Sequence, residues 1–142
     1  MLSALLALIT AAVFTGAALY INVAEQPARL LLDDGPLLAE WKPAYKRGFA
    51  MQASLAILGC LLGLVAFWQF NHPGFIAGAI LMIANWPWTL FVMMPTNLKL
   101  MAATDGSPET RALIVTWGGY HAVRTTLGSL ATVAFLWALT AH

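Results

Sequence analysis

The stretch WGGYHAVRTTLG, residues 117–128, carries a histidine and an arginine inside an otherwise apolar segment. Trp117, His121 and Arg124 follow the spacing i, i+4 and i+7, so on a helix they share one face. Histidine gains and loses a proton near neutral pH, which makes His121 a candidate for proton transfer. The structural alternative for His121 is a hydrogen bond to a neighbouring helix. For Arg124 the alternatives are contact with lipid phosphates and a buried ion pair with Glu25.

A second stretch, NWPWTLFVMMPTNLKL at residues 85–100, is apolar yet holds prolines, tryptophans and asparagines. Pro87 has no N–H, so it predicts a kink where the carbonyl of Ile83 loses its helical donor. Asn85 then either bonds backbone groups that the kink frees or holds a polar atom of a ligand. Asn97, near the end of the stretch, either caps the helix or bonds another helix.

Aromatic and polar side chains near these stretches extend the set of candidates. Trp86 and Trp88 point in different directions on a helix, and one of them is a candidate for the wall of a pocket for a flat aromatic ligand, with plain packing as the alternative. In LYINVAEQPARL, residues 19–30, the polar side chains recur at i, i+3 and i+7, roughly one helix face. These residues are Asn22, Glu25 and Arg29, of which the last two form an i,i+4 pair in the favourable order.

Composition decides what kind of protein must position these residues. The chain has 142 residues, of which 61% are hydrophobic and 9% charged, and its mean hydropathy is +0.77. Soluble domains carry about 25% charged residues, so we predict a single integral membrane domain over residues 1–142. Cys60 is the one cysteine, and no Cys/His cluster predicts a metal site. The net charge of +1 predicts no nucleic-acid surface.

Four apolar runs are each long enough to span a membrane. They predict an all-α, four-helix transmembrane bundle of up-down topology, with both termini on the same side. The predicted helices cover residues of about 2–24, 46–69, 74–98 and 112–140. Residues 25–47 read as a long amphipathic connection, and Ser107 reads as a possible N-cap of the last helix.

The charged residues predict the orientation of this bundle. Every Lys, Arg, Asp and Glu lies at or near the end that carries the first and third connections. By the positive-inside rule these connections are cytoplasmic, and both termini lie outside an inner or plasma membrane.

Polar residues of the first, third and fourth helices gather toward this charged end, whereas the second helix contributes few, Gln52 and Ser54. An unpaired polar group inside hydrocarbon is costly, so such residues usually face the interior of a bundle. We therefore predict a pocket that opens near the cytoplasmic leaflet. No polar stripe crosses to the outer side, which argues against an ion channel, and the lack of an internal repeat weakens a transporter reading.

Three stretches, GAALYINVAEQPARL, NWPWTLFVMMPTNLKL and WGGYHAVRTTLG, resemble the anthrone oxygenase-like family of small four-helix membrane proteins. The resemblance covers nearly the whole chain. Its most specific elements are the MMPTN sequence, the PAR that follows the first helix and the Trp-x3-His-x2-Arg spacing.

The resemblance implies an oxidoreductase that converts an anthrone into an anthraquinone with O₂ as co-substrate and no added metal, haem or flavin. Carried onto this chain, it implies His121 as the base that removes a proton from an activated methylene. Arg124 and Asn97 would stabilise the oxygen anion that forms. We further predict that a lipophilic substrate contacts Asn22, Glu25, Asn85, Trp86, Trp88 and Trp117.

Two other classes of protein stay open. One is a non-enzymatic accessory subunit or a lipid- or quinone-binding protein, in which Arg124 and Glu25 meet headgroups or a partner. The other is a haem protein with His121 as one ligand, although Met93 and Met94 are more simply gap-filling side chains than second ligands. The predicted partners are a lipophilic small molecule or lipid within the membrane, with a homo-oligomer or larger membrane complex left open.

Overall fold

The computed structural model describes residues 1–141 of the chain, and four long helices make up nearly all of that part. We label them α1 (Leu2–Arg29), α2 (Asp34–Phe70), α3 (Pro73–Ala102) and α4 (Pro108–Thr140). Each is long and apolar enough to cross a membrane, and no strand is present in residues 1–141. The predicted all-α class with four spanning helices is therefore confirmed.

The helices are longer than their apolar runs predicted, and the largest difference is at α2. This helix begins at Asp34 rather than near residue 46, so most of the predicted connection is helical and residues 30–33 alone join α1 to α2. The early turns form because Leu37, Leu38 and Trp41 bury their side chains against α3 and α4. Helical stability of this kind comes from packing, which a search for apolar runs does not detect.

The ends of the helices carry recognisable local signals. The Ser107 hydroxyl accepts a hydrogen bond from Thr110 N at 3.1 Å, and the Thr110 hydroxyl accepts one from Ser107 N at 2.9 Å. This reciprocal capping box confirms the predicted N-cap and starts α4 at Pro108. The turn between α2 and α3 ends α2 with Asn71 in the left-handed conformation, at φ 50°.

The four helices form a ring in which α1 and α3 each pack against both α2 and α4. Ser3 at the start of α1 donates to Gln69 near the end of α2 at 2.6 Å, and Thr15 pairs with Thr132 of α4 at 3.0 Å. The up-down topology across a membrane and the side on which the termini lie stay predictions.

Glycines allow the helices to approach each other closely. A Cβ added at Gly78 of α3 would lie 2.4 Å from the Phe135 ring of α4, and one at Gly63 of α2 would lie 2.8 Å from the same ring. Phe135 is fully buried and has no room to move aside. These positions therefore fix how near α2, α3 and α4 pack.

Charged side chains tie together the connections 30–33 and 103–107, which lie at one end of the bundle that we call the loop end. Arg111 of α4 donates to the Asp34 carboxylate at 2.5 Å and to the Leu30 carbonyl at 2.9 Å. Lys42 of α2 donates to the carbonyl of Ala103. The loop end is thus a closed cap of polar contacts over the helices that hold the candidate site.

Candidate functional site

A small cavity of about 20 Å³, which we call the main cavity, lies among all four helices in the half of the bundle nearer the loop end. Apolar and aromatic side chains form much of its wall. Its polar lining residues are Glu25, Arg29, Tyr45, Gln52, Asn97, His121 and Arg124.

An irregular turn in α1 places the first of the residues that organise this site. Residues Ile21–Glu25 form one turn of π-helix between two α-helical parts of α1. A π turn inserts one extra residue and re-aims the side chains that follow, and such turns are frequent at functional sites. Here the turn carries Asn22, which faces α4, and Glu25, which lines the main cavity.

Asn22 holds His121 in a defined orientation. The Asn22 amide nitrogen donates to the Gly118 carbonyl at 3.0 Å, which turns its oxygen toward His121. That oxygen lies 2.9 Å from His121 Nδ1 and also accepts from the Thr125 hydroxyl at 2.6 Å. An amide oxygen cannot donate, so Nδ1 carries the proton and Nε2 carries the lone pair.

The other ring nitrogen of His121 is available for chemistry. Nε2 makes no hydrogen bond within residues 1–141, although the side chain is buried and lines the main cavity. The Trp117 ring packs beside the imidazole, with centroids 5.0 Å apart and planes 34° apart. The interhelical hydrogen bond predicted as the alternative for His121 is thus present, and it leaves Nε2 without a partner in the described residues.

Arg124 is a buried cation without a counter-ion. Its side chain is 5% exposed and forms no salt bridge with any acidic group in residues 1–141. Its guanidinium lies over the Phe14 ring at 5.7 Å, and Nε has no hydrogen-bond partner. A buried charge is costly unless it is paired, so Arg124 favours an anion in the cavity. The predicted alternative of a pair with Glu25 is not found.

Glu25 instead pairs with Arg29, as the i,i+4 spacing predicted. The Arg29 guanidinium lies 2.6 Å from Glu25 and 3.0 Å from Glu40 of α2, and it stacks over Trp117 at 5.7 Å. Two carboxylates surround this arginine, so its charge is compensated within the protein. The two arginines of the main cavity therefore differ, and Arg124 alone of the two has no acidic partner in residues 1–141.

Two primary amides complete the polar lining. Gln52 of α2 and Asn97 of α3 are each 1% exposed, and neither end of either amide has a hydrogen-bond partner in residues 1–141. The Tyr45 hydroxyl lies beside Asn97. Neither Gln52 nor Tyr45 was predicted as a site residue. A glutamine inside an apolar run was nevertheless a signal, since buried polar groups normally require partners.

Irregular backbone in α3 shapes a smaller neighbouring cavity of about 10 Å³, which we call the side cavity. The helix is interrupted at Ala84, just before Pro87, as the proline predicted. The Asn85 amide nitrogen donates to the carbonyls of Leu81 and Met82, at 3.3 and 3.1 Å, rather than to Ile83. The Asn85 oxygen has no partner and its side chain lines the side cavity.

A π turn at Thr89–Met93 follows this interruption and serves both cavities. Thr89 lines the side cavity, and Met93 lines the main cavity. Phe49 and Arg124 line both, so the two spaces are neighbours separated by these side chains.

The structure brings most of the predicted site residues together, though in two cavities. The predicted residues that line the main cavity are Glu25, Asn97, Trp117, His121 and Arg124. Those that line the side cavity are Asn85, Trp86 and, again, Arg124. Asn22 lies behind His121 rather than in the lining of either cavity. Trp88 also lines neither cavity, because its indole donates to the Tyr120 carbonyl at 3.0 Å and its ring packs edge-on to Tyr120.

Potential metal or haem ligands are sparse in the described part of the chain. No group of three or more His, Cys, Asp or Glu side chains could hold a metal ion within residues 1–141. Met93 shares the main cavity with His121, whereas Met94 is not among the residues that line it. A haem site that uses His121 and a methionine stays a prediction.

Comparison with known proteins assigns the chain to a family. Residues 41–134 match the anthrone oxygenase family, a range that holds Gln52, Asn97, His121 and Arg124. The chain is 31% identical to the anthrone oxygenase tpcL of Aspergillus fumigatus over 139 residues, with 89% of this chain and 86% of the relative covered. It is 29% identical to the anthrone oxygenase nsrD of Aspergillus novofumigatus over 106 residues, with 66% of this chain and 65% of the relative covered. No solved structure matches. The chain belongs to the anthrone oxygenase family.

Proposed function

We propose that this protein is a membrane-embedded oxygenase that oxidises a lipophilic, anthrone-type aromatic with O₂ in the main cavity, without an added metal, haem or flavin. One observation carries the proposal: the free Nε2 of His121 shares a buried cavity with the uncompensated Arg124. A base beside an unpaired cation is suited to removing a proton from carbon and holding the resulting anion. Membership of the family supports the oxygenase class.

The first step in this proposal is proton transfer. An anthrone has a methylene between two aromatic rings, opposite a ring carbonyl, so loss of one proton gives an anion whose charge lies largely on that carbonyl oxygen. His121 Nε2 accepts the proton, while Asn22 and Thr125 hold the imidazole through Nδ1. Arg124 and the Asn97 amide stabilise the oxygen anion, because preorganised donors act most strongly where charge develops.

The second step is oxidation of the anion by O₂. The electron-rich carbon gives up electrons to O₂, and a C–O bond forms to yield a peroxide. The His121 imidazolium protonates the peroxide, and Nε2 then removes the second methylene hydrogen as a proton while the O–O bond breaks, which forms the new carbonyl and releases hydroxide. The His121 imidazolium returns its proton to this hydroxide, which leaves as water. Overall, one methylene and one O₂ give one carbonyl and one water, so atoms and electrons balance.

The aromatic walls account for binding a planar molecule. Trp117 lies beside His121 and lines the main cavity, so an aromatic ring bound there would contact both side chains. The side cavity, with Trp86 and Thr89, gives apolar space on the far side of Arg124.

A non-enzymatic accessory or lipid-binding role is less well supported. That role predicted that Arg124 and Glu25 meet headgroups or a partner. Arg124 is instead 5% exposed, and Glu25 is neutralised by Arg29.

The proposal is tested by turnover of an anthrone by the detergent-purified protein. We expect quinone absorbance to grow and O₂ to fall in equimolar amounts, at a rate proportional to protein and above the autoxidation of the anthrone in buffer. A chelator should leave the rate unchanged, and the protein should have no Soret band. A rate equal to autoxidation would refute the oxygenase, and a Soret band or a chelator-sensitive rate would refute cofactor-free chemistry.

A further inference from the structure

The two amides of the main cavity have hydrogen-bonding capacity that the fold does not use. Gln52 and Asn97 are each 1% exposed; both polar atoms of Gln52 lack a partner in residues 1–141, and the Asn97 amide lies beside the Tyr45 hydroxyl without a hydrogen bond of normal geometry. Other buried amides use at least one end: Gln26 donates to the Ile114 carbonyl at 2.8 Å, the Asn85 nitrogen donates to the Met82 carbonyl at 3.1 Å, and Asn22 makes three contacts. The two buried amides that make no hydrogen bond of normal geometry at either end both line the main cavity.

Unused polar groups in this place have a cost that a ligand can offset. An amide buried without hydrogen bonds destabilises the folded protein, and more so inside a membrane, where water does not supply the missing partners. Methionine would fill the volume of Gln52 without that penalty. A glutamine that does not stabilise the fold at this position indicates a binding role.

The chemistry of the two side chains indicates what they bind. A primary amide has two N–H donors and one carbonyl acceptor, so a pair of them recognises ring oxygens, whether carbonyl or hydroxyl. The amides come from α2 and α3, whereas His121 and Arg124 come from α4. A planar ligand held by the amides at an oxygen-bearing edge is therefore oriented relative to the base.

We propose that Gln52, together with Asn97, forms a two-amide receptor for the ring oxygens of the aromatic substrate, and that Gln52 is a specificity-determining residue of the site. This proposal rests on the proposed function, because the oxygenase activity identifies the ligand as an aromatic with ring oxygens. It assigns no proton transfer to Gln52, which binds and orients the substrate.

The test compares two substitutions on α2 and two ligands of the same ring skeleton. Gln52→Met removes the unpaired amide. Gln69→Met is the matched control, because the Gln69 oxygen already accepts from Ser3 at 2.6 Å and lies at the other end of the helix. The ligands are 9,10-anthraquinone, which has two ring oxygens, and anthracene, which has none. Binding and thermal unfolding are measured in the same detergent.

For Gln52→Met we expect about tenfold weaker binding of anthraquinone, unchanged binding of anthracene, and a raised melting temperature of the ligand-free protein. Gln69→Met should leave both affinities unchanged and should not raise the melting temperature. Equal weakening of both ligands together with a lowered melting temperature would assign Gln52 to the fold and overturn the proposal. Unchanged binding of anthraquinone would overturn it as well.

A second variant keeps the test decisive if Gln52→Met does not fold. Measurements of binding also separate the receptor proposal from the oxygenase proposal. Asn97→Leu should show the same ligand-specific loss, and failure of both variants to fold would make the amides structural and refute the receptor. Ligand-specific loss in a protein without turnover would support the receptor while the oxygenase fails. Turnover in a protein whose Gln52→Met variant binds normally would refute the receptor alone.

Discussion

At the scale of single residues, the two buried arginines differ in their partners. Arg29 lies between the carboxylates of Glu25 and Glu40, whereas Arg124 has an aromatic ring and two cavities around it. Removing Arg29 leaves two partly exposed carboxylates of like charge near each other, whereas removing an uncompensated buried charge removes a cost. Mutation therefore distinguishes the two arginines: loss of Arg29 should lower stability, and loss of Arg124 should lower activity.

Arg124→Met should lower kcat/KM for anthrone oxidation by about 100-fold to 1,000-fold, since it removes the cation that stabilises the anion. The melting temperature should not fall. Arg29→Met is the comparison: it strands two carboxylates and should lower the melting temperature. Quinone formation and thermal unfolding of the purified variants measure both effects. Normal turnover in Arg124→Met would contradict the role assigned to Arg124.

Thr125 supports the orientation of His121 through Asn22, although Thr125 lines neither cavity. Thr125→Val removes the hydroxyl that donates to the Asn22 oxygen, so the Asn22–His121 bond loses one of its supports. We expect kcat to fall by about threefold to tenfold with KM unchanged. Thr126→Val is the matched control, because Thr126 is exposed and bonds the Ala122 carbonyl of its own helix. Equal kcat in the two variants would argue that Asn22 does not position the base.

At the scale of helices, irregular turns shape the site. The π turns Ile21–Glu25 in α1 and Thr89–Met93 in α3 both contribute residues to the main cavity. Each breaks the regular helical spacing, so side chains beyond it face directions that a period of 3.6 residues does not give.

Close packing of α3 on α4 should be sensitive to one methyl group. Gly78→Ala places a Cβ against the rigid, fully buried Phe135 ring and should lower the free energy of unfolding by about 1–3 kcal/mol. Gly16→Ala serves as the control, since a Cβ there meets nothing within 4 Å. Denaturant titration in mild detergent compares the two. Equal stability of both variants would mean that the helices do not pack as closely as described.

The sequence predicted those features that depend on composition or on neighbours along the chain. Apolar runs predicted the four helices, Ser107 predicted a cap, and the i,i+4 spacing predicted the pair of Glu25 with Arg29. Features that depend on distant contacts could not be predicted. Asn22 meets His121 across 99 positions of the chain, and the first turns of α2 are stabilised by packing on other helices.

At the scale of the whole molecule, length and charge fit a bundle that crosses a membrane with its loop end projecting. At about 1.5 Å per residue, the 37 residues of α2 span about 55 Å, well beyond a hydrocarbon core of about 30 Å. The charged residues occupy the projecting end, where Arg111 and Lys42 hold the two connections.

The predicted orientation has the loop end in the cytoplasm and both termini outside. In a Cys60→Ser protein, a cysteine at Asp105 should react with a membrane-impermeant maleimide only after the cells are opened. A cysteine added after residue 142 should react in intact cells. Labelling in the reverse order would show that the bundle has the opposite orientation.

The most direct test of the account is the oxidation of an anthrone under ¹⁸O₂ by the wild-type protein and by His121→Ala, with the labelled quinone measured by mass spectrometry. We expect the wild type to form quinone with one ¹⁸O in the new carbonyl. After subtraction of the autoxidation background, the rate of His121→Ala should be about 10²–10⁴-fold lower than that of the wild type. Turnover of His121→Ala at the wild-type rate would contradict the claim that His121 initiates reaction with O₂ in the main cavity. A quinone without ¹⁸O would contradict it as well.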